Sequence, residues 1–363
     1  MEKRVVVTGL GVVSPNGIGV GLFKRNISEG KSGIEFREDL QELGFGCQLA
    51  SVPKIDENFK KLFIKKYGLK KLLSSGLLYG CIAGVEAWDD AGLLINDNPH
   101  WNTGCIFGTG ITGIEAVSYS NEFIKTKTIK KMGGRVAQQA MNSGISAYLG
   151  GIFGLGNQVT TNSSACSTGT ESIIMGYDRI RFGLAVKMIV GSTESEGANV
   201  WAPFDAMFAL NRKDNLFPNL ASKPMSKYAS GFIPGAGSGA IVIESLDSAL
   251  KRGANIYCEI IGGEINSGGH RSNGGMTIGN KEGIKRCINK AIKSSKISPS
   301  DIDLISGHLT STIGDVIEIE CWSSIFRDKE KFPYINSLKS MIGHCLSASG
   351  SIETVASILQ IKE

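Results

Sequence analysis

One cysteine of the chain lies where a protein can turn a thiol into a nucleophile. Cys166 belongs to the small-residue segment Asn162–Gly169, directly after a predicted strand and before a predicted helix. Unpaired backbone N–H groups and the helix dipole at such a helix start favour a thiolate. We therefore interpret Cys166 as a candidate nucleophile, the alternative being an inert buried cysteine in a turn.

Two of the four histidines can complete a site around this cysteine. His308 and His344 lie in polar, glycine-punctuated segments at the ends of predicted strands. One cysteine and two such histidines can form a nucleophile with two hydrogen-bond donors for an enolate or thioester oxygen. A metal site of Cys166, His308, His344 and Asp315 is the alternative, but these residues lack the close paired spacing of most metal ligands.

The elements that must position these residues follow an alternating pattern. Short β-branched runs alternate with helix-period stretches, which is typical of an α/β protein with mostly parallel strands. The predicted strands are Arg4–Thr8, Gly104–Gly108, Gln158–Thr161, Val186–Gly191, Gly239–Glu244, Ile256–Gly262, Asp303–Gly307 and Pro333–Asn336. The predicted helices are Val20–Ser28, Ser75–Ala91, Thr168–Phe182, Lys281–Ser294, Gly314–Phe326 and Ser347–Ile361.

Two segments of the chain indicate an internal duplication. Residues 159–166 and 334–344 each run from a strand through small residues towards a helix, and each carries a reactive side chain near the helix start. In the first half two further predicted strands follow that helix, whereas the second half reaches Glu363 without them. We expect two strands that complete the second half to come from residues beyond this sequence or from a partner chain.

Composition and charge exclude several other classes of protein. Of 363 residues, 42% are hydrophobic and 20% charged, so neither a disordered nor a membrane-embedded chain fits. The net charge of +5 is too small to indicate nucleic-acid binding. The eight cysteines include no CxxC pair, which indicates reduced thiols. Without a signal-peptide core or a membrane-length apolar run, we expect a cytoplasmic protein with no membrane partner.

The glycine-rich segment after the first predicted strand invites a nucleotide-binding interpretation. It reads Gly9-Leu10-Gly11-Val12-Val13-Ser14, so a serine replaces the third glycine of the dinucleotide fingerprint. No acidic strand end lies at the expected distance either. We predict a tight turn here.

Four motifs in order resemble the elongating, thiolase-fold type of β-ketoacyl-acyl-carrier-protein synthase. They are Val5–Pro15, Ser164–Gly169, His308 with Thr310-Ser311-Thr312, and Lys339–His344. The similarity runs from residue 3 to the last residue and includes Lys251–Tyr257 at the junction of two halves. The resemblance implies an α/β, thiolase-like fold whose related halves, residues 1–253 and 254–363, have mixed, mostly parallel sheets between helices.

The resemblance also implies a role for each site residue. Cys166 is expected to carry the acyl chain as a thioester, and His308 and His344 to polarise the carbonyl of a malonyl thioester during decarboxylation. Lys339 is expected to pair with Glu318 and order the site, and Asp315 to support the same loop. Without the resemblance, Lys339 and Glu318 would be a solvated surface pair. No cofactor and no metal are implied.

Further residues are assigned to substrate and partner contacts. By resemblance, Ile111 and Phe204 line an acyl pocket, although Ile111 could instead be an ordinary core residue. Lys65, Lys66 and Lys70 form a candidate docking surface for an acidic acyl carrier protein, loaded with acyl or malonyl groups; a solvated helix face is the alternative. Family members dimerise through strands near the nucleophile, so we expect Gln158–Asn162 to form a homodimer or heterodimer interface.

The chain departs from the family pattern at three places. Leu309 replaces a glycine after the first catalytic histidine, where it is expected to crowd the malonyl arm. At Lys223–Ser226 and Ala229–Phe232 the family has motifs that contain more charged residues than this chain has. This difference predicts the loss of a buried ion network. A C-terminal Gly-Phe-Gly-Gly strand-turn is absent from this sequence.

Two rival functions remain at this stage. A weakly catalytic or non-catalytic companion subunit could set chain length in a ketosynthase heterodimer for polyketide or polyene synthesis, but such subunits usually lose the cysteine. A thiolase would be expected to show a second catalytic cysteine, and Cys345 beside His344 does not match such a motif. The sequence therefore favours a condensing enzyme of fatty acid or related synthesis.

Overall fold

The computed structural model describes residues 2–269 and 279–361. Its strands are β1 (Val5–Ser14), β2 (Gly17–Ile18), β3 (Ile34–Phe36), β4 (Leu49–Ser51), β5 (Thr103–Thr109), β6 (Val159–Thr160), β7 (Lys187–Glu194), β8 (Gly237–Ser245), β9 (Cys258–Ile260), β10 (Leu304–Ser306) and β11 (Tyr334–Asn336). Its α-helices are α1 (Val20–Ser28), α2 (Glu38–Glu42), α3 (Glu57–Lys66), α4 (Ser75–Asp90), α5 (Ile114–Lys125), α6 (Val136–Ala140), α7 (Gly144–Phe153), α8 (Thr168–Arg181), α9 (Ala198–Ala206), α10 (Pro218–Ala221), α11 (Leu246–Lys251), α12 (Lys281–Ser295), α13 (Gly314–Ile325), α14 (Lys339–Ile342) and α15 (Ser349–Ile361).

A large mixed sheet forms the centre of the first half. Its strand order is β2-β1-β8-β7-β5-β6, with β9 also paired to β1. β5 is parallel to both β6 and β7, while β8 runs antiparallel to β7 and β1. Thus β1, β5, β6 and β7 share one direction, and the predicted α/β class with mixed sheets is confirmed. None of the helices in the described ranges is long and apolar enough to cross a membrane.

The glycines of the first strand serve helix packing and not a turn. β1 continues through Gly9 and Gly11 to Ser14, so the tight turn predicted there is wrong. A Cβ atom on Gly9 would lie 2.1 Å from the Ala87 carbonyl oxygen, and one on Gly11 2.0 Å from that of Ala83. The two glycines therefore let α4 lie directly against the strand backbone.

The second half contributes less sheet to the described structure. β9 extends the large sheet by pairing antiparallel with β1, and β10 and β11 form a separate parallel pair. The predicted boundary between residues 253 and 254 falls in the connection between α11 and β9. Leu309, Trp322 and Phe326 form a small buried cluster beside the β10–β11 pair.

The two halves repeat one local structure and meet at it. Ala165 and Leu346, with φ of 49° and 48°, each begin a 3₁₀ turn that leads directly into a long helix, α8 or α15. A Cβ on Gly169 would lie 2.5 Å from the Ser351 nitrogen, and one on Gly350 2.8 Å from the Thr170 nitrogen. The first turns of α8 and α15 are therefore in backbone contact.

Candidate active site

Cys166 occupies the turn between β6 and α8. The turn is held by Thr168, whose hydroxyl accepts from the Ser164 N–H at 2.7 Å and donates to the Ala165 carbonyl at 2.6 Å. The strained left-handed conformation of Ala165 lifts the next residue out of the turn. The Cys166 sulfur lies 3.1 Å from Nε2 of His344.

His344 is fixed by both its backbone and its ring. Its N–H donates to the Ile233 carbonyl at 2.7 Å, and its carbonyl accepts from the Gly235 N–H at 3.0 Å. The ring is 2% exposed, its Nδ1 lies 2.8 Å from the Ser349 hydroxyl, and Phe232 contacts it edge-on. His344 therefore has one orientation, with Nε2 directed at Cys166.

The imidazole of His308 lies beside that of His344. It follows β10, and the two imidazole centroids are 5.2 Å apart. The Glu318 carboxylate accepts the backbone N–H of His308 at 2.8 Å and that of Leu309 at 2.9 Å. The structure thus brings together the three residues that the sequence assigns to the site, Cys166, His308 and His344.

The expected pairing of Lys339 with Glu318 is wrong. The Lys339 ammonium, only 1% exposed, lies 2.5 Å from Oε1 of Glu353 on α15. Both oxygens of Glu318 already accept backbone N–H groups, whereas Lys339 provides the only hydrogen bond to the Glu353 carboxylate among the described residues. A buried ammonium needs the carboxylate that is still free, which is why Glu353 is the partner.

Asp315 supports the loop after His308, as expected. Its carboxylate accepts the N–H groups of Thr310 at 2.8 Å, Ser311 at 3.1 Å and Met225 at 3.0 Å. It is thereby committed to the backbone and is not among the groups that could hold a metal ion with Cys166. The ligand atoms of Cys166, His308 and His344 lie within 4.8 Å of one another, so these three side chains face one small volume.

The effects predicted for two of the departures from the family pattern are wrong, one fully and one in part. The Leu309 side chain is fully buried against Trp322 and Phe326, so it does not crowd the approach to His308. The predicted loss of an ion network is also wrong in part, because Lys223 pairs with Asp214 at 2.8 Å. Lys223 thus provides the cation of an ion pair in the region where the loss of charged pairs was predicted.

Burial sets the ionisation of the site. It raises the pKa of Cys166 to about 11, and the positive charge of Lys339 acts against this rise. Desolvation of the sulfur therefore opposes the thiolate that the helix start favours. Burial first, then neighbouring charge, also lowers the pKa of His344 well below its usual value. Desolvation and then the charge of Lys339 lower the pKa of His308 as well, although His308 is more exposed than His344.

A buried carboxylate joins the segment that carries Ile111 to the 3₁₀ turn before α15. Glu194, at the end of β7, accepts the Ile111 N–H at 3.2 Å and the Ser347 hydroxyl at 2.7 Å. Ile111 itself is 39% exposed, so it is not a core residue of this chain. Phe204 is half-buried and packs edge-on against Phe232, which in turn contacts His344.

Lys65, Lys66 and Lys70, which the sequence assigns to a candidate docking surface, are all exposed. Lys65 and Lys66 end α3, and Lys70 follows in the next turn. Arg135 donates to the carbonyls of Gly68 and Lys70 at 3.1 and 3.3 Å, which adds a further cation beside Lys70.

Sequence reasoning missed two residues of the site. Glu353 is the single charged side chain in the apolar stretch that forms α15, and such an isolated charge indicates a buried partner. Ser349 lies five residues after His344, and no sequence pattern distinguishes it from the other serines of this segment.

The family profile described as "Beta-ketoacyl synthase, N-terminal domain" matches residues 2–249, and "Beta-ketoacyl synthase, C-terminal domain" matches residues 257–363. The chain is 34% identical over 371 residues to 3-oxoacyl-acyl-carrier-protein synthase 1 of Buchnera aphidicola subsp. Schizaphis graminum, covering 99% of this chain and 87% of the relative. It is 32% identical over 364 residues to 3-oxoacyl-acyl-carrier-protein synthase 2 of Staphylococcus aureus strain N315, covering 100% and 86%.

Solved structures have the same fold. A chain of the complex "AntDE:AntF (apo): type II PKS acyl-carrier protein in complex with its ketosynthase bound to the hexaketide" superposes with a TM-score of 0.87 at 28% identity, covering 100% of this chain and 87% of that one. "The ishigamide ketosynthase/chain length factor" gives a TM-score of 0.85 at 26% identity, covering 99% and 86%.

Proposed function

The chain belongs to the beta-ketoacyl synthase family of acyltransferases, and from that membership we propose that it joins an acyl group held on Cys166 to malonyl-carrier protein with loss of carbon dioxide. The observation that carries the proposal is the contact of 3.1 Å between the Cys166 sulfur and Nε2 of His344, with the His308 ring beside it. This places a nucleophile and two imidazoles around one small volume.

The first step transfers the acyl group. The Cys166 sulfur attacks the carbonyl carbon of an acyl thioester, a thioester to Cys166 forms, and the thioester to the carrier breaks. The proton of the Cys166 thiol ends on the departing carrier sulfur, so no proton is gained or lost. Imidazole N–H groups beside the sulfur stabilise the thiolate as it develops.

The second step forms the carbon–carbon bond. His308 and His344 donate hydrogen bonds to the carbonyl oxygen of the malonyl thioester, so that loss of carbon dioxide leaves a stabilised enolate. The enolate carbon attacks the acyl carbon, the bond to the Cys166 sulfur breaks, and that sulfur takes up one proton from water. Burial of His344 lowers its pKa well below the ordinary value, which favours the neutral imidazole with one N–H to donate.

Lys339 and Glu353 are proposed to order this site and not to react. Their ion pair is buried and joins α14 to α15, the two helices that flank His344 in the sequence. Removing one partner of a buried pair leaves an uncompensated charge, so we expect the site to depend on both residues.

Two rival functions are less well supported. The intact contact between Cys166 and His344 favours an enzyme over a chain-length partner subunit that lacks chemistry of its own. Cys345 is fully buried and its sulfur lies 3.6 Å from the Ile342 carbonyl oxygen, a setting that does not suit the second catalytic cysteine of a thiolase.

The test of the proposed condensation is to incubate the protein with an acyl-carrier protein and malonyl-carrier protein. We expect a 3-oxoacyl-carrier product and one carbon dioxide per product, and neither would appear if the proposal were wrong.

Acyl carrier protein is the proposed partner of the basic surface around Lys65, Lys66 and Lys70. The three lysines are exposed and form no ion pair among the described residues, which leaves their charge available to an acidic protein. Lys66 lies 5.0 Å from the Tyr67 ring, so the surface also offers an aromatic group.

Charge reversal at this surface should weaken the use of carrier-bound substrates. We expect Lys65→Glu, Lys66→Glu and Lys70→Glu together to raise KM for acyl-carrier protein roughly tenfold, while a pantetheine thioester is used as before, because exposed charges act on encounter. The effect should shrink as salt is added. The matched control reverses Arg327, Lys329 and Lys331, three exposed cations of the second half. Equal effects on both substrates would assign the lysines to an ordinary solvated face.

Ile111 and Phe204 are proposed to wall the acyl pocket. The segment that carries Ile111 begins beside the nucleophile turn, since the Thr109 N–H donates to the Asn162 carbonyl at 3.1 Å. Glu194 then holds the Ile111 backbone, and this leaves the side chain projecting from an otherwise small-residue segment.

Enlarging Ile111 should shorten the acyl chains that the protein accepts. We expect Ile111→Phe to leave acylation by short chains unchanged and to slow acylation by long chains about tenfold or more, since each buried methylene is worth about 0.8 kcal/mol. Acylation rates over a ladder of chain lengths, with Tm recorded beside them, are the measurement. Ile261→Phe, at a similarly exposed isoleucine of the second half, is the control. A uniform loss across the ladder with a lowered Tm would contradict the pocket assignment.

Residues 158–162 are proposed to form a dimer interface with an identical or a related chain. They contain β6, which pairs only with β5 in the described parts of the chain and so leaves one edge free. Val159 on this strand is 37% exposed. A free, partly apolar strand edge next to the nucleophile turn suits strand pairing across two subunits.

A further inference from the structure

Ser349 contacts the catalytic centre without taking part in the chemistry described above. It is the first residue of α15, it is 1% exposed, and its hydroxyl oxygen lies 2.8 Å from Nδ1 of His344. The other ring nitrogen, Nε2, lies 3.1 Å from the Cys166 sulfur. Ser349 therefore lies behind the imidazole, on the side away from the nucleophile.

The direction of the hydrogen bond between Ser349 and His344 follows from what each atom can do. A serine hydroxyl has one proton to donate, and a buried donor without an acceptor is costly. Within residues 2–269 and 279–361, Nδ1 of His344 is the only hydrogen-bond partner of the Ser349 hydroxyl. The hydroxyl proton must then go to Nδ1, which accepts it through its lone pair.

A neutral imidazole carries one proton, so a lone pair on Nδ1 places the proton on Nε2. We propose that Ser349 is a positioning residue that fixes His344 as an Nε2–H donor towards Cys166 and the substrate oxygen. The inference rests on the proposed condensation and adds the group that sets the tautomer.

The opposite tautomer would work against the second step. With the proton on Nδ1, the lone pair of Nε2 would face the enolate oxygen. That contact would be repulsive instead of stabilising. With Ser349 donating, His344 keeps its proton throughout and does not act as a base towards Cys166.

The parent protein itself provides the first test. With ¹⁵N-labelled histidine, a chain with four histidines gives few ring signals, and His344→Ala identifies those of His344 by their loss. We expect the ¹⁵N shift of Nδ1 to be that of a nitrogen with a lone pair, and Nε2 to carry the proton. A proton on Nδ1 would overturn the proposal, whatever the activity of the protein.

Variants at position 349 provide the second test. We expect Ser349→Ala to give a mixture of tautomers and to slow malonyl-carrier decarboxylation about ten- to a hundredfold, as losses of histidine-orienting partners do. Ser349→Thr keeps a hydroxyl and should restore both readouts. The control is Ser351→Ala, on the same helix as Ser349, which removes a hydroxyl that is hydrogen-bonded to Ser192. An unchanged tautomer in Ser349→Ala would overturn the proposal, whereas a parent protein without decarboxylation would contradict only the proposed function.

Discussion

Replacing Cys166 by alanine is expected to abolish condensation while leaving decarboxylation of malonyl-carrier protein. Only the cysteine can hold the acyl group, so loss of its sulfur should lower the condensation rate by roughly 10⁴-fold or more. His308 and His344 remain in place to stabilise the enolate, whose protonation then yields acetyl-carrier protein. The measurement is product by mass and carbon dioxide release from the same reaction.

A second cysteine gives the control for this result. Cys287 is also partly exposed, and its sulfur lies 3.4 Å from the carbonyl oxygen of Glu264, which is not a residue of the site. Cys287→Ala should condense at the parent rate. Condensation that survives in Cys166→Ala, with no acyl group found on the parent cysteine, would remove Cys166 from the mechanism.

His344→Ala should lose decarboxylation as well as condensation. The variant removes an N–H donor from the enolate oxygen, and the loss of one such donor costs about 10²- to 10³-fold in rate. His308→Ala should behave in the same way, because the two imidazoles face one volume. Carbon dioxide release without an acyl donor isolates this step from the chemistry of the cysteine.

The remaining described histidine separates a specific loss from general damage. His100 packs edge-on against Trp88, with ring centroids 5.2 Å apart, in the core beside α4. His100→Ala tests whether removing a packed imidazole alone affects decarboxylation, and we expect the parent rate. If His344→Ala released carbon dioxide at the parent rate with an unchanged Tm, its assignment as a donor would be wrong.

The regular elements were predictable because local periodicity determines them. The helix Val20–Ser28 has the predicted bounds, and β5, β7 and β8 differ from their predictions by only a few residues. Each carries apolar residues in a run or at a spacing that the local sequence shows. Short elements such as β3, β4 and α2 were missed, because their few residues carry little pattern and depend on tertiary contacts.

The composition of the site was predictable by resemblance, but its internal pairing was not. Two carboxylates, Glu318 and Glu353, are available to Lys339, and only the backbone hydrogen bonds of Glu318 decide between them. The direction of Leu309 and the length of β1 are likewise outcomes of packing. A sequence pattern gives the residue types of a site, whereas the choice among equivalent partners is made by burial.

The backbone contact between Gly169 and Gly350 constrains how this protein can be altered as well as how it folds. Each glycine lies in the first turn of the helix that follows a 3₁₀ turn, Gly169 in α8 and Gly350 in α15. The contact therefore couples the position of Cys166 to that of His344. Neither half can be exchanged for that of a relative unless the incoming helix also leaves room for a bare backbone. In recombination experiments the two helix starts should therefore be inherited together, as one unit shared by the two halves.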